Sequence, residues 1–267
     1  MAQITSEMVK ALREKTGLPM MACKKALEKA NGDPQAASDI LRKEMGAAAE
    51  KKSGRATGEG LIGIAQSPDR TSAAMVEVRC ETDFCARNDV FGAMVAELAG
   101  MALNAGDGKV EATPAITAAV QSALQKIGEN MSYARGIRIS APRIGAYLHH
   151  NKKVGVLIGV EGEVTDEVLS DLCMHVAFAD PMGIVVEDIP ADIVEKEKQI
   201  AKEQAIASGK PADIAEKMVA GKIRKFLEER ALVEQLIARE DKYGKKKVKD
   251  ILGKAKVKAF ARFAVGG

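Results

Sequence analysis

At 267 residues, 46% of them hydrophobic and 29% charged, the chain is long enough for one to three modest domains with real cores. Its 40 basic residues against 37 acidic ones leave a net charge of +3, too near balance for a dedicated nucleic-acid binder, and an aromatic share of 3% with no tryptophan argues against a large aromatic-rich β-sandwich. No stretch approaches the roughly 18–20 apolar residues that cross a bilayer. The N-terminus has neither the basic nor the apolar region of a signal peptide, and Cys23, Cys80, Cys85 and Cys173 form no CxxC pair. A cytoplasmic chain with reduced thiols and no membrane association is expected.

The first fifty or so residues read as a three-helix unit. Thr5 or Ser6 caps a helix that Thr16-Gly17 ends. Pro19 suits the first turn of a second, with Met20, Cys23 and Leu27 on its apolar face and Asn31-Gly32 as its stop. Asp33-Pro34 starts a third bearing Ala37, Ile40 and Leu41. Residues 46–60, rich in Ala, Lys and Gly, read as a linker with a domain boundary near residue 54.

After it the hydrophobic period changes from 3.6 to 2. Strands are expected over residues 61–65 and 74–80, the second with Ala74, Val76, Val78 and Cys80 on one face and Glu77 and Arg79 on the other. Helices follow through Phe91, Met94, Val95 and Leu98, and from Thr113-Pro114 through Ile127. Strands over 137–140, 144–149 and 154–160 come next, the last two a hairpin about His150-Asn151-Lys152-Lys153. Thr165 caps a further helix with Asp166 and Glu167 in its first turn, and residues 184–186 read as a short strand.

From residue 191 to 239 two heavily charged helices are separated by Ser208-Gly209-Lys210-Pro211. Their narrow apolar seams, Ile193, Ile200 and Ala207 on one and Ile214, Met218 and Phe226 on the other, suit a protruding antiparallel hairpin. A basic helical turn over 245–252 and a strand with Val257, Ala259, Ala261, Phe263 and Val265 on one side close the chain.

No Walker or dinucleotide glycine loop, no HExxH and no acid–base–nucleophile set emerges, so neither an enzyme nor a cofactor is expected. Cys80 and Cys85 flanking Asp83 could be drawn as a metal site, but two thiols fall short of the four ligands of structural zinc. The pair His149-His150 reads first as a solvated hairpin tip, and His175 as a satisfied helix histidine. Lys245, Lys246, Lys247, Lys249, Lys254, Lys256 and Lys258 could meet RNA phosphates. They alternate with apolar residues, without interleaved aromatics, and read by default as a solvated face guarding a strand edge. Phe84, just past a strand end, sits by residue type more naturally in a core than in solvent; exposed, it would be an interface anchor.

Leu12-Arg13-Glu14-Lys15-Thr16-Gly17 followed by Met20-Met21-Ala22-Cys23-Lys24-Lys25-Ala26-Leu27 resembles the N-terminal signature of the elongation factor Ts family. Glu77-Val78-Arg79-Cys80-Glu81-Thr82-Asp83-Phe84-Cys85-Ala86-Arg87 resembles its second signature. Lys126-Ile127-Gly128-Glu129-Asn130, Tyr147-Leu148-His149, Val154-Gly155-Val156-Leu157, Met174-His175-Val176-Ala177 and Ser208-Gly209-Lys210-Pro211 match in order, so the resemblance covers nearly the whole chain. Pro19, Ala22, Arg79 and Cys85 depart from the family's usual small residue, Asp, Asn and Val.

The resemblance implies an α+β protein: an N-terminal three-helix, UBA-like docking domain over 1–54, one core subdomain over 55–140, a second over 141–190 and 227–267, the two similar and each with an antiparallel sheet, and an inserted coiled-coil hairpin over 191–226. It implies guanine nucleotide exchange on elongation factor Tu, by binding without covalent chemistry or cofactor. The aromatic of the signature loop, here Phe84, wedges between helices of the partner's G domain and shifts the elements that hold Mg²⁺; Asp83 supports it, and Thr82 and Cys85 frame the loop. Arg13, Met20, Met21 and Lys24 on the docking unit and His149 are secondary contacts by the same carry-over, and no direct nucleic-acid contact is implied. The hairpin dimerises some members and not others, so a homodimer stays open.

Overall fold

The structure, a computed structural model, describes residues 3–52, 54–207, 209 and 211–267. Three helices, α1 (Ser6–Thr16), α2 (Met20–Lys29) and α3 (Pro34–Lys52), share a small core of Val9, Leu12, Leu18, Cys23, Leu27 and Leu41. Local chemistry sets their ends. The Thr5 hydroxyl accepts from the Met8 N–H, Gly17 closes α1 in the left-handed region at φ 68°, and the Asp33 carboxylate accepts from the Gln35 and Ala36 N–H groups. Met20 does not join the core: it is 51% exposed at the start of α2, and Cys23, Ala26 and Leu27 form the buried side. The expected linker is largely absent, since α3 runs on to Lys52; the Ala and Lys that made residues 46–52 read as low-complexity chain are strong helix formers. Ser53 lies outside the described residues.

Two antiparallel sheets stack face to face. Strands β1 (Glu59–Gln66), β2 (Ser72–Cys80), β3 (Gly108–Lys109) and β4 (Met131–Ser140) form the first, in the order β1-β2-β4-β3. Strands β5 (Arg143–Leu148), β6 (Val154–Glu161) and β7 (Lys256–Ala264) form the second in sequence order. Ile62, Met75, Ile139, Ile144, Leu157 and Phe263 fill the layer between them. The approach is so close that a Cβ on Gly155 would lie 2.6 Å from Ile62 and 2.7 Å from Met75, which restricts that position to glycine.

Each sheet's other face is covered by helices. On the first lie α4 (Asp83–Ala86), α5 (Asp89–Leu103) and α6 (Pro114–Ile127), closing a core around Phe91, Val95, Leu98 and Ile116. On the second lies α7 (Asp166–Ala179), with Leu169, Leu172, Cys173 and Val176 inward. Helices α8 (Ala191–Ala207) and α9 (Ala212–Arg230) pack on one another; α8 buries only Ala201 and Ala205, and α9 buries no residue. Ser208 and Lys210 of the expected separator lie outside the described residues. The mixed helix and sheet content makes the class α+β.

Four expectations change. Glu77 is fully buried although it points away from the apolar face of β2, because the second sheet covers that side too. Its carboxylate accepts from Arg79 Nε at 2.8 Å, Arg135 Nε at 2.7 Å and the Gly266 N–H at 3.0 Å. Residues 184–186 are not a strand: Asp188 accepts the Ile184 and Val185 N–H groups and coils the chain into a 3-10 turn, Val186–Asp188. The second charged helix ends at Arg230 rather than near 239, where Leu232 and Val233 bond the carbonyls of Gly183 and Ile184 and carry Leu232 and Ile237 into the core. The last strand does not keep its apolar residues on one side. A bulge between Gly159 and Val160 shifts the register, so Val257 joins the helix-covered core while Ala259, Ala261 and Phe263 face the inter-sheet layer. After a short α10 (Glu240–Tyr243), the expected basic turn over 245–252 contains α11 (Val248–Leu252), with Lys247 and Lys249 both on Glu234.

Two predictions follow from the buried polar groups. Replacing Glu77 by Ala leaves two guanidinium groups facing each other beside the sheet layer; a loss of about 3 kcal/mol is expected in denaturant titration, near the low end for a broken buried pair because both arginines keep about a third of their surface in water. His175 is buried: Ala238 N–H donates to its Nδ1 at 3.2 Å, and Nε2–H donates to Gln235 at 2.9 Å. Burial, the larger effect, holds its pKa below the ordinary histidine value against the Gln235 bond, which raises it. The unfolded chain therefore binds the extra proton first, and stability falls as pH drops below about 6.5, with a slope of at most about 1.4 kcal/mol per pH unit. A His175→Gln variant is expected to be less stable at neutral pH and to have a flatter profile between about pH 7 and 5.5.

Candidate functional site

The end of β2 carries the feature that most resists a structural role. After Cys80 the chain turns through Thr82, whose extended backbone (φ −127°, ψ 159°) caps the single turn of α4. Asn88 then caps α5 by accepting the Val90 N–H at 2.9 Å. Cys85 and Ala86 of the short turn face the core, buried with Phe91 and Val95. At 3.6 residues per turn, Phe84 lies about 150° from their midpoint and must point outward. It does: 79% of its surface is exposed, an unusual state for the largest apolar residue in its segment.

The turn is anchored from behind. The Thr82 hydroxyl accepts the Cys85 N–H at 3.2 Å and donates to the Glu129 carboxylate at 2.9–3.0 Å; the Thr82 N–H donates to the same carboxylate at 3.1 Å. Next to it the Asn130 N–H donates to Glu81 at 2.6 Å, and Arg55 lies 3.4 Å away; the Asn130 bond first and Arg55 second hold the Glu81 carboxyl below its usual range. Cys80 donates to the Thr82 carbonyl at 3.3 Å. Its bond to Cys85, with burial second, pushes the Cys80 pKa up; the same bond lowers the Cys85 pKa against burial, Glu129 and Glu81, which raise it.

Asp83 pairs with Arg87 at 3.1 Å across the outer face, an exposed contact that a partner could replace at little cost. Together with Asp89 these residues form one wall of a groove of about 510 Å³; the other wall is the β5–β6 turn with His150, Lys152 and Lys153. The groove carries both charge signs and adjoins the turn from which Phe84 projects. That arrangement suits a protein surface better than a small apolar ligand.

The expected site residues fall into separate groups. Thr82, Asp83, Phe84 and Cys85 form one short turn, with Cys85 inside rather than at the surface. His149 is half-buried, its Nδ1 2.7 Å from the Tyr147 hydroxyl, while His150 is exposed and lines the groove. Arg13, Met20, Met21 and Lys24 are exposed on α1 and α2 and do not line it; Met21 is 62% exposed. Glu129 was missed. It stood among the family-like residues, yet its grip on Thr82 spans 47 positions and has no local signal. Of the tail lysines, Lys247 and Lys249 hold Glu234 and Lys258 pairs with Glu161 at 3.2 Å. Among the described residues no helix is long and apolar enough to cross a membrane, and no cluster of three or more His, Cys, Asp or Glu has metal-binding geometry.

Comparison with known proteins agrees across the chain. The family model described as Elongation factor TS matches residues 81–267. A protein of Hahella chejuensis named Elongation factor Ts is 40% identical over 270 residues, covering 100% of this chain and 93% of that protein. Proteins of the same name from Thiobacillus denitrificans (43% identical, 91% of this chain and 85% of the relative) and Aquifex aeolicus (38%, 99% and 98%) extend the match to distant bacteria. With the family model matching residues 81–267 and relatives aligned over nearly their whole length, the chain belongs to the elongation factor Ts family of translation elongation factors.

Proposed function

We propose that this protein is the guanine nucleotide exchange factor of elongation factor Tu, working in the cytoplasm by binding alone. It engages the Tu–GDP complex, Phe84 enters between helices of the partner's G domain, and the elements that hold Mg²⁺ shift. With the ion lost, the phosphate charge is uncompensated, GDP leaves and GTP enters. The observation that carries this reading is the exposed ring of Phe84 on a turn whose backbone is tied down by its neighbours.

The magnitudes are adequate. Burying one phenylalanine contributes about 1.5–3 kcal/mol, and each 1.4 kcal/mol changes an affinity about tenfold. Asp83 supports the ring by trading Arg87 for partner groups, Thr82 shapes the turn, and Cys85 seats it on the core. In this reading the N-terminal helices are a UBA-like docking domain presenting Arg13, Met20, Met21 and Lys24, and His149 belongs to a second contact. Exchange is reciprocal by linkage: the factor weakens nucleotide, and incoming GTP weakens the factor.

The same reading makes α8 and α9 an antiparallel hairpin available to a second copy. The apolar groove between them is lined by Val194, Ala205, Ile206, Val219 and Ile223, and Ile206 is largely in solvent. Sedimentation at two concentrations is expected to give a dimer that Ile206→Glu dissociates; a monomeric wild type removes this element and leaves the exchange reading intact.

Substoichiometric amounts of the protein are expected to accelerate release of labelled GDP from the cognate elongation factor Tu. Phe84→Ala is expected to reduce that acceleration about 10- to 150-fold, matching the lost burial, without lowering thermal stability. No acceleration by the intact protein would sink the reading. Steeply salt-dependent RNA capture in its place would favour the lysine-rich tail as the working surface.

A further inference from the structure

We infer that Glu129 is a positioning residue of the exchange turn: its carboxylate fixes the direction in which Phe84 is presented. The inference rests on the exchange reading above. It starts from the weakness of α4, a helix of a single turn. Such a turn cannot hold its own shape, because nucleation fixes several residues for one hydrogen bond. Packing does not aim the ring either, since most of its surface is in solvent. The aim of Phe84 is therefore the aim of its backbone.

That backbone is set at Thr82, and Thr82 is set by Glu129. The carboxylate takes both donors of Thr82, the N–H at 3.1 Å and the hydroxyl at 2.9–3.0 Å. With its only proton committed to Glu129, the hydroxyl presents a lone pair to the Cys85 N–H, the bond that caps α4. Removing the carboxylate frees the hydroxyl rotor and strips the Thr82 N–H of its acceptor, so the turn loses its register at its first residue.

Glu129 is itself held on a rigid mount. It follows Gly128, which closes α6 in the left-handed region at φ 85°, and precedes Asn130, whose N–H binds Glu81 and whose side chain donates to the Arg55 carbonyl at 2.8 Å. Lys52, at the end of α3, donates to the Gly128 carbonyl, and the Lys126 side chain lies beside Gly17 at the end of α1. One loop, residues 128–130, thus touches both the exit of the N-terminal helices and the exchange turn.

The test compares wild type, Glu129→Ala and Glu129→Gln in stimulated GDP release over a range of factor concentrations, with alkylation of each cysteine by iodoacetamide read by peptide mass. Docking through the N-terminal face is unchanged in the variants. Glu129→Ala is therefore expected to lower the plateau rate about tenfold or more while the half-saturating concentration stays within about threefold. Glu129→Gln, which keeps one acceptor oxygen, is expected to fall between the two. Cys80 and Cys85, buried behind the turn, are expected to become reactive in Glu129→Ala, while Cys23 and Cys173 stay protected. A variant with the wild-type plateau overturns the positioning role alone. So does one in which all four thiols open together, since that marks general unfolding. A wild-type protein without effect on release overturns the exchange reading and this role with it.

Discussion

The two sheets lie against each other with almost nothing between them but aliphatic side chains, and the rest of the molecule is arranged around that contact. Ile62 and Met75 of the first sheet meet Leu157 of the second where Gly155 has no side chain to hold them apart. A chain with few aromatics gains core density from such close approach, because dispersion falls off steeply with each added gap. Both faces of β2 are then covered, by α5 on one side and the second sheet on the other. A strand clamped in this way is a stiff rod, and the Thr82–Phe84 turn is mounted on its end.

The polar groups that this stacking traps are all answered. Glu77 at the edge of the layer holds Arg79 and Arg135, and Arg135 in turn lies over Phe263 and donates to the Ala264 carbonyl. Arg79, which stands where the family usually has Asn, thereby acquires a role in this chain: it is one of two cations neutralising a buried carboxylate on the strand that leads to the turn. Cys85, the other departure near the turn, is accommodated because it faces the core, where a thiol packs much as a small aliphatic group does.

Stiffness at the base and exposure at the tip serve different ends. Burial of Cys85 and Ala86 and the hold of Glu129 on Thr82 keep the turn in place before any partner arrives, so less ordering entropy opposes binding. In the proposed complex the exposed ring of Phe84 would supply its burial energy on binding. The paired helices α8 and α9 follow the opposite pattern. They carry many charges and bury almost nothing.

Much of the fold was legible in the sequence, because it is written in local chemistry. Thr5, Asp33, Thr113 and Thr165 cap the helices they precede, Gly17 ends the first of them, and the period-2 runs became strands. The signature around Thr82-Asp83-Phe84 and its family were equally readable. The direction of Phe84 was not, since a residue's side of a one-turn helix depends on which neighbours the core accepts. Nor was the burial of Glu77 or the split face of the last strand, which depend on a second sheet and a bulge that no single segment encodes; at residues 184–186 the nearby Asp188 carboxylate overrode three β-forming side chains. Sequence by itself determined which elements form and what family of turn they carry, because capping and periodicity act over a few residues. Only the tertiary structure decided what that turn rests on and where its ring points, because Glu129 reaches it across 47 positions through space.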